Sequence, residues 1–405
     1  MSKTSNNPTF QTQPYKGTRD FYPDSGQFVN PQKDTNFFIY QKYIFHTWRQ
    51  ALLQNGFVEY DTSIIEQAEI YLAKSGEELG GKQLYNFHDK SDRHIALRPE
   101  MTPSLARMVA DKYEQLRFPL RWFSIPNCFR YEKPQKGRLR EFWQLNVDII
   151  GQKAGIVDLE ILVIVGKLFL EFGATKNMFK IMFNHRQIID LWLTKYNLIS
   201  KKTLIYAVLD DWHKLSVADN SSKLKTELNE TEIQNIVDLC AKNGQSWSDY
   251  LEIANGFEEI KLVLEVLPNI LPNVEFEFSP TIIRGIAYYT GLVFEGFNKN
   301  PISPRAMFGG GRYDNLMELF NKPATPSIGL GVGEVTWTDF LNEWNLLDGN
   351  ENFETWKKQN ILEKVGIMPI LEEKPALNLT NETENLEQKL DQKDVEKLQE
   401  ILGKL

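Results

Sequence analysis

Apolar residues recur at helical spacing at Phe37, Phe38, Tyr40, Tyr43, Ile44, Trp48, Leu52 and Leu53, and the pattern stops at Gly56, which predicts a helix over 36–55. The segment GFVEYDTSIIE behind it reads as a strand. After a loop at 75–84, Pro103 opens a second helix over 103–110, with Leu105, Met108 and Val109 on its apolar side. The stretch 121–151, RWFSIPNCFRYEKPQKGRLREFWQLNVDIIG, is aromatic and β-branched at both ends and polar between 132 and 138. It predicts a β-hairpin with a long charged loop. An apolar helix over 158–172 and a short strand over 178–183 follow. From 187 to about 268 the period is helical, with scattered Lys and Glu, which reads as a helical insertion between two halves of a sheet. Strand alternation returns at 274–278 and 289–297, and a small-residue strand, SIGLGVG, precedes a helix, EVTWTDFLNEW. The pattern is that of an α+β chain: a sheet flanked by helices and interrupted once. Residues 1–15 read as a disordered leader, and 371–405 as a charged segment closing in a helix from Asp391.

With 405 residues, 42% of them hydrophobic, the chain can bury a sizeable core across two or three domains. The net charge of −8, from 54 acidic and 46 basic residues, excludes a non-specific nucleic-acid coat but permits a local basic site. Cys128 and Cys240 lie far apart without metal-ligand spacing and read as free thiols of a reducing cytosol. No apolar run approaches the roughly 18 residues that span a membrane, and the polar N-terminus is no secretory signal, so the expectation is a cytoplasmic protein.

Chemistry concentrates in the hairpin. Lys133, Lys136 and Arg138 in the loop, with Arg130 and Arg140 at the strand ends, bring five cations to one turn. Guanidinium forks pair with phosphate oxygens and ammonium groups neutralise them, so such a turn suits a polyphosphate or a nucleic-acid end; the bland alternative is a solvated basic tip. Gln144 and Asp148 fall on one face of the second strand by its two-residue period. Glu100, taken alone, reads as a charge at the start of a helix. Tyr288 and Tyr289 supply hydroxyls and ring faces, with a core tyrosine of a strand as the alternative for one of them. His185, alone at a strand end, reads as structural.

FRYEKPQKGRLREFWQLNVDIIG resembles the motif 2 hairpin of class II aminoacyl-tRNA synthetases, in the version found in histidyl-tRNA synthetases. KGTRDFYP resembles that family's opening sequence, RPE-x-T at 98–102 its amino-group site, and the helix and strand over 36–66 its motif 1, which builds a homodimer interface. RGIAYY at 284–289 resembles a signature peculiar to the family, and FGGGRYDNL and SIGLGVG resemble its later segments including motif 3. The resemblance implies a class II catalytic fold with an antiparallel sheet, and a homodimer that joins L-histidine to tRNA(His) using ATP and Mg2+. It also implies roles. Arg130 and Arg284 are catalytic. Glu100, Thr102, Arg130, Gln144, Asp148, Arg284, Tyr288 and Tyr289 bind histidine, and Arg130, Glu132, Arg138 and Arg312 bind ATP. The domains expected are a catalytic core over 16–186 and 269–345, the insertion over 187–268, which in the family lies over the acceptor arm, and a remnant of an anticodon-binding domain over 346–405, opened by KVGIMPI.

Three positions depart from the family. Ser63 stands where motif 1 has proline, Ala287 where the signature has aspartate, and Val335 where motif 3 has the arginine that stacks on adenine. Either Arg312 or Arg138 substitutes for that cation, or the chain activates histidine poorly. The departures and the short tail keep a rival in view, a non-catalytic histidine-binding regulatory subunit of ATP phosphoribosyltransferase, against which the retained loop cations argue. A basic RNA-binding module without chemistry would carry aromatic platforms among those cations, and residues 132–138 contain none.

Overall fold

A computed structural model of the chain describes residues 12–21, 37–73, 81–212, 215–241, 244–284, 288–301 and 306–362. The expected leader up to Gln11, Ala287 and the C-terminal segment from Glu363 lie outside these described residues.

Helix α1 (Phe37–Gln54) buries Ile39, Tyr43, Ile44, Trp48 and Leu52 along one stripe. The single strand expected after it is two short ones, β1 (Val58–Glu59) and β2 (Ile65–Gln67), which join different sheets. Side chains take over the backbone between them. Asp61 accepts from the Thr62 amide at 2.7 Å, Ser63 from the Ile65 amide at 3.3 Å, and Arg98 binds both Asp61 and the Thr62 carbonyl. Such local bonds compete with a ladder and end it. After α2 (Ala68–Leu72), strands β3 (Asn86–His88) and β4 (His94–Leu97) complete a 3-stranded sheet in the order β2-β4-β3.

Beyond α3 (Thr102–Asp111) the hairpin forms, but its first arm is split into β5 (Leu120–Ser124) and β6 (Asn127–Phe129) around Pro126, which has no amide to give the ladder. Both pieces pair with β7 (Glu141–Ile150). Helix α4 (Ile156–Glu171) is buried on nearly every side and leads to β8 (Phe179–His185). Then come α5 (Arg186–Lys195), α6 (Lys202–Asp210), α7 (Val217–Leu224), α8 (Glu230–Cys240), α9 (Gly244–Ala254), α10 (Glu258–Glu265) and α11 (Leu267–Ile270), with no strand among the described residues of this stretch. Strands β9 (Glu275–Phe278), β10 (Leu292–Asn298), β11 (Ala306–Arg312) and β12 (Ser327–Gly333) follow, then α12 (Glu334–Glu343) and α13 (Glu351–Lys357).

The large sheet has 9 strands, ordered β1-β5-β7-β12-β11-β10-β8-β9 with β6 beside β7. It is antiparallel except at its edges, where β1 runs parallel to β5 and β9 to β8. Its register separates two faces. Leu145, Val147 and Ile149 of β7, Ile328, Leu330 and Val332 of β12, Phe308 of β11 and Phe294 of β10 join one core with α1, α4 and α12. There Trp48, Phe169 and Trp337 interlock, with the Phe169 and Trp337 rings 4.2 Å apart. The opposite face of the same strands carries Gln144, Asn146 and Asp148 against Gly333, Gly331 and Gly329, and then Gly309 and Gly311.

Candidate active site

Side chains paired across an antiparallel ladder share a face, so the alternate glycines of β11 and β12 leave a bare floor between β7 and β10. Functional groups lie on that floor because no Cβ lifts them off. A Cβ on Gly309 would meet Arg284 Nη1 at 2.2 Å, one on Gly311 the Tyr289 ring at 2.8 Å, and one on Gly329 Asp148 Oδ1 at 2.1 Å. One on Gly331 would meet Gln144 Nε2 at 2.6 Å.

Arg284 approaches from the segment before β10 with φ of 63°, a left-handed conformation that a non-glycine residue holds only when its surroundings impose it. Its Nη1 donates to Glu295 Oε1 at 2.5 Å, its Nε has no partner among the described residues, and its Cζ lies 6.0 Å from the Tyr289 ring centre. Burial works against this cation, yet Glu295 outweighs it and holds the guanidinium above its ordinary pKa. Tyr288 donates to Glu100 Oε2 at 3.0 Å, and both are buried. Glu100 and Thr102 sit at the turn into α3, positioned from behind by Arg98, whose Nε donates to the Asn127 carbonyl at 2.8 Å.

On β7, Gln144 Nε2 donates to Asn146 Oδ1 at 2.6 Å. Asp148 is fully buried. Burial pushes its carboxyl up to about 7, against the pull of the Tyr313 hydroxyl and with the Glu100 charge adding to the rise.

Arg130 extends the site toward the loop. Its Nε donates to the Pro99 carbonyl at 2.9 Å and its guanidinium lies 5.0 Å from the centre of the Phe142 ring. Beyond it Glu132 accepts from Arg138 Nη1 at 3.3 Å, while Arg138 remains half exposed at the turn. The N-terminal segment straps this loop down: the Gly17 carbonyl accepts from the Arg140 amide at 2.7 Å, and Tyr15 Oη accepts from Arg140 Nη1 at 2.9 Å. Arg19 joins Glu334, the first residue of α12, at 2.7 Å.

Arg312 does not belong with these residues. Strand alternation turns it to the opposite face, where Asp158 of α4 takes its Nε and Nη2, each at 3.0 Å, and Nη1 binds the Gln152 carbonyl and Asp314. A guanidinium spent in this way, under the sheet, has no path to a nucleotide above it. His185 is likewise on that side, where Nδ1 accepts from the Gln187 amide to cap α5 and Nε2 meets Glu259 at 2.8 Å. The Cys128 thiol of β6, opposite Phe142 of β7, is pushed up to about 12 by burial.

A family model described as histidyl-tRNA synthetase matches residues 40–333. A relative from Leptospira biflexa named histidine--tRNA ligase is 40% identical over 344 residues, which is 83% of this chain and 75% of that protein. The chain belongs to the histidyl-tRNA synthetase family. Two solved structures share the fold. One is described as an ATP phosphoribosyltransferase regulatory subunit/histidyl-tRNA synthetase from Bacillus halodurans, with TM-score 0.67, 22% identity, and 82% of this chain and 84% of that one covered. The other is a histidyl-tRNA synthetase from Nostoc sp. PCC 7120, with TM-score 0.62, 21% identity, and 89% of this chain and 88% of that one covered.

Within this histidyl-tRNA synthetase fold the site contains residues that the sequence motifs did not single out. Glu295 partners Arg284, and Tyr313 binds Asp148. The signal was present: glycines at alternate positions 309, 311, 329, 331 and 333 mark one bare face, and Glu295 and Tyr313 share its parity.

Proposed function

We propose that this chain activates L-histidine with ATP and transfers it to the 3′ end of tRNA(His). A histidine carboxylate oxygen attacks the α-phosphorus, the bond to the bridging oxygen breaks and diphosphate leaves. The terminal ribose hydroxyl then attacks the acyl carbon and AMP departs. No protein nucleophile takes part, so the residues act by position and charge. Glu100 and Thr102 receive the α-ammonium. Arg130 and Arg284 flank the carboxylate and the α-phosphate, where charge builds during displacement. Gln144, Asp148, Tyr288 and Tyr289 surround the imidazole, and Glu132 and Arg138 face the nucleotide. Arg312 is left out of this set. With Val335 uncharged, Arg138 takes the part of the motif 3 arginine in this reading, supported by its half-exposed position at the turn. Mg2+, which the family resemblance implies, would neutralise phosphate charge as diphosphate leaves.

The observation that carries this reading is the convergence of Arg130, Arg284, Glu100 and Asp148 around one bare glycine floor. The test is histidine-dependent exchange of labelled pyrophosphate into ATP. Exchange that Arg284→Ala removes is expected; its absence in the parent protein, with histidine still bound, would turn the reading to the regulatory-subunit alternative, which Val335 favours.

A homodimer in the cytoplasm completes the proposal. No helix among the described residues is long and apolar enough to cross a membrane. The outer face of the small sheet presents Ile65 and Phe87, 49% and 46% exposed, beside Ile95 and Leu97, an apolar surface suited to a second copy. Sedimentation should give a dimer that Phe87→Asp weakens.

A further inference from the structure

Asp148 and Tyr313 form a closed pair at the end of the glycine floor. Tyr313 directly follows β11, and its amide continues the ladder to the Ser327 carbonyl at 2.8 Å. Its hydroxyl donates to Asp148 Oδ1 at 2.5 Å, and both residues are buried. The tyrosine is fixed from both sides. The preceding Arg312 is locked beneath the sheet by Asp158, and the Tyr288 ring meets the Tyr313 ring edge-on at 5.8 Å. Gly329 completes the arrangement, since a Cβ there would collide with the oxygen that Tyr313 holds. Asp148 Oδ2 is also buried, but has no partner among the described residues. A buried carboxylate oxygen left without a donor costs free energy unless a ligand provides one.

Resting on the histidine pocket proposed above, we propose that Tyr313 is a positioning and specificity-determining residue: it holds Asp148 so that one oxygen, Oδ2, faces the pocket and accepts one N–H from an imidazole ring. Two consequences follow from that geometry. A single acceptor of fixed direction distinguishes the two ring nitrogens, so the pocket discriminates between the two ring-methylated isomers of histidine. Acceptance also requires the carboxylate form. The charged and titratable groups around Asp148 are Tyr313 behind it, Glu100 from the turn into α3, Tyr60 after β1, and Tyr289 beside Arg284. Of these, Tyr313 lowers the carboxyl, whereas burial and Glu100 raise it. Removing the hydroxyl therefore keeps Asp148 protonated to higher pH.

The experiment is calorimetric titration with L-histidine, and with each ring-methylated isomer, across the neutral range. Parent, Tyr313→Phe and Asp148→Asn proteins are compared after the titration of free histidine, near its ordinary value of about 6.5, is subtracted. In the parent, affinity falls as pH drops through about 7 and one isomer is rejected. Tyr313→Phe moves the midpoint upward, weakens binding about tenfold at neutral pH and narrows the isomer ratio. Asp148→Asn, which keeps an oxygen for the tyrosine, loses the pH step. A Tyr313→Phe protein that melts normally and retains the parental midpoint and isomer ratio overturns the proposal, as does a pH step surviving in Asp148→Asn. A parent that binds histidine with this step but exchanges no pyrophosphate removes the ligase reading alone. A parent that binds no histidine removes both.

Discussion

Arg312 and Arg284 stand on opposite faces of one sheet, each paired with a carboxylate. The Arg312–Asp158 side chains are 3% and 0% exposed, whereas Arg284 and Glu295 are 21% and 20% exposed. Every described nitrogen contact of Arg312 points to protein, and Asp158 also caps α4 by accepting from the Gly155 amide. Arg284 instead keeps a strained backbone, one acidic partner and an unpartnered Nε. A cation whose three nitrogens are all engaged by the protein holds the fold together; one with a nitrogen to spare can meet an anionic ligand. Proximity to a nucleotide-binding motif in the sequence does not distinguish the two, but the face of the strand does.

The comparison predicts opposite phenotypes. Arg312→Ala leaves Asp158 charged and buried without its partner and should cost about 3–5 kcal/mol in chemical denaturation. Arg284→Ala should melt close to the parent yet lose about a hundred- to a thousandfold in pyrophosphate exchange. If the two variants exchanged phenotypes, the division between the faces would be wrong.

Acid and base test the upper face more finely. The Asp148 carboxyl rises from 3.8 to about 7 on folding, so the native state keeps a proton that the unfolded chain has lost. Its contribution to stability therefore falls as pH rises through that window, and the cost of ionising it under cover is complete above about 7. Asp148→Asn should be more stable than the parent at alkaline pH by about 2–4 kcal/mol, with the gap closing in acid. Equal stability curves would mean that Asp148 ionises freely.

Neighbouring glycines of β11 offer a third contrast. Gly310 faces the core, where a Cβ would meet the Gly329 carbonyl at 2.4 Å, so Gly310→Ala should cost about 1–3 kcal/mol of stability. Gly309→Ala meets the guanidinium of Arg284, the far end of a long side chain, and should spare the fold while reducing exchange. The smallest effect is a gain: Val335→Arg should lower the KM for ATP by about tenfold, read in the exchange assay.

Much of this was legible in the sequence, for identifiable reasons. The long apolar periods gave α1 and α4 within a residue or two, because each buries a continuous stripe or its whole surface. The hairpin was legible from its polar middle, and the placing of Gln144 and Asp148 on one face from the strand period alone. The break between β1 and β2 was not, because the local bonds of Asp61 and Ser63 are joined there by Arg98, more than thirty residues downstream. Arg312 was misplaced because a Gly-rich run suggests a ligand without saying which way its last side chain turns. Tyr313 and Glu295 gain meaning only once β11 is set beside β12 and β10.

The strap across the hairpin loop has a bearing on how the molecule comes into being. Tyr15 reaches Arg140 across 125 positions of chain and Arg19 reaches Glu334 across 315. Synthesis proceeds from the N-terminus, so the segment that fastens the loop is made before either of its anchors. Contacts this distant in sequence form late, after the more local strands and helices have found their places. The anchor at Arg140 is available once the hairpin is made, but the one at Glu334 arrives only with the end of β12, the strand that joins β7 to β11. A ribosome that stalls before α12 holds a chain whose N-terminal strap has only its hairpin anchor.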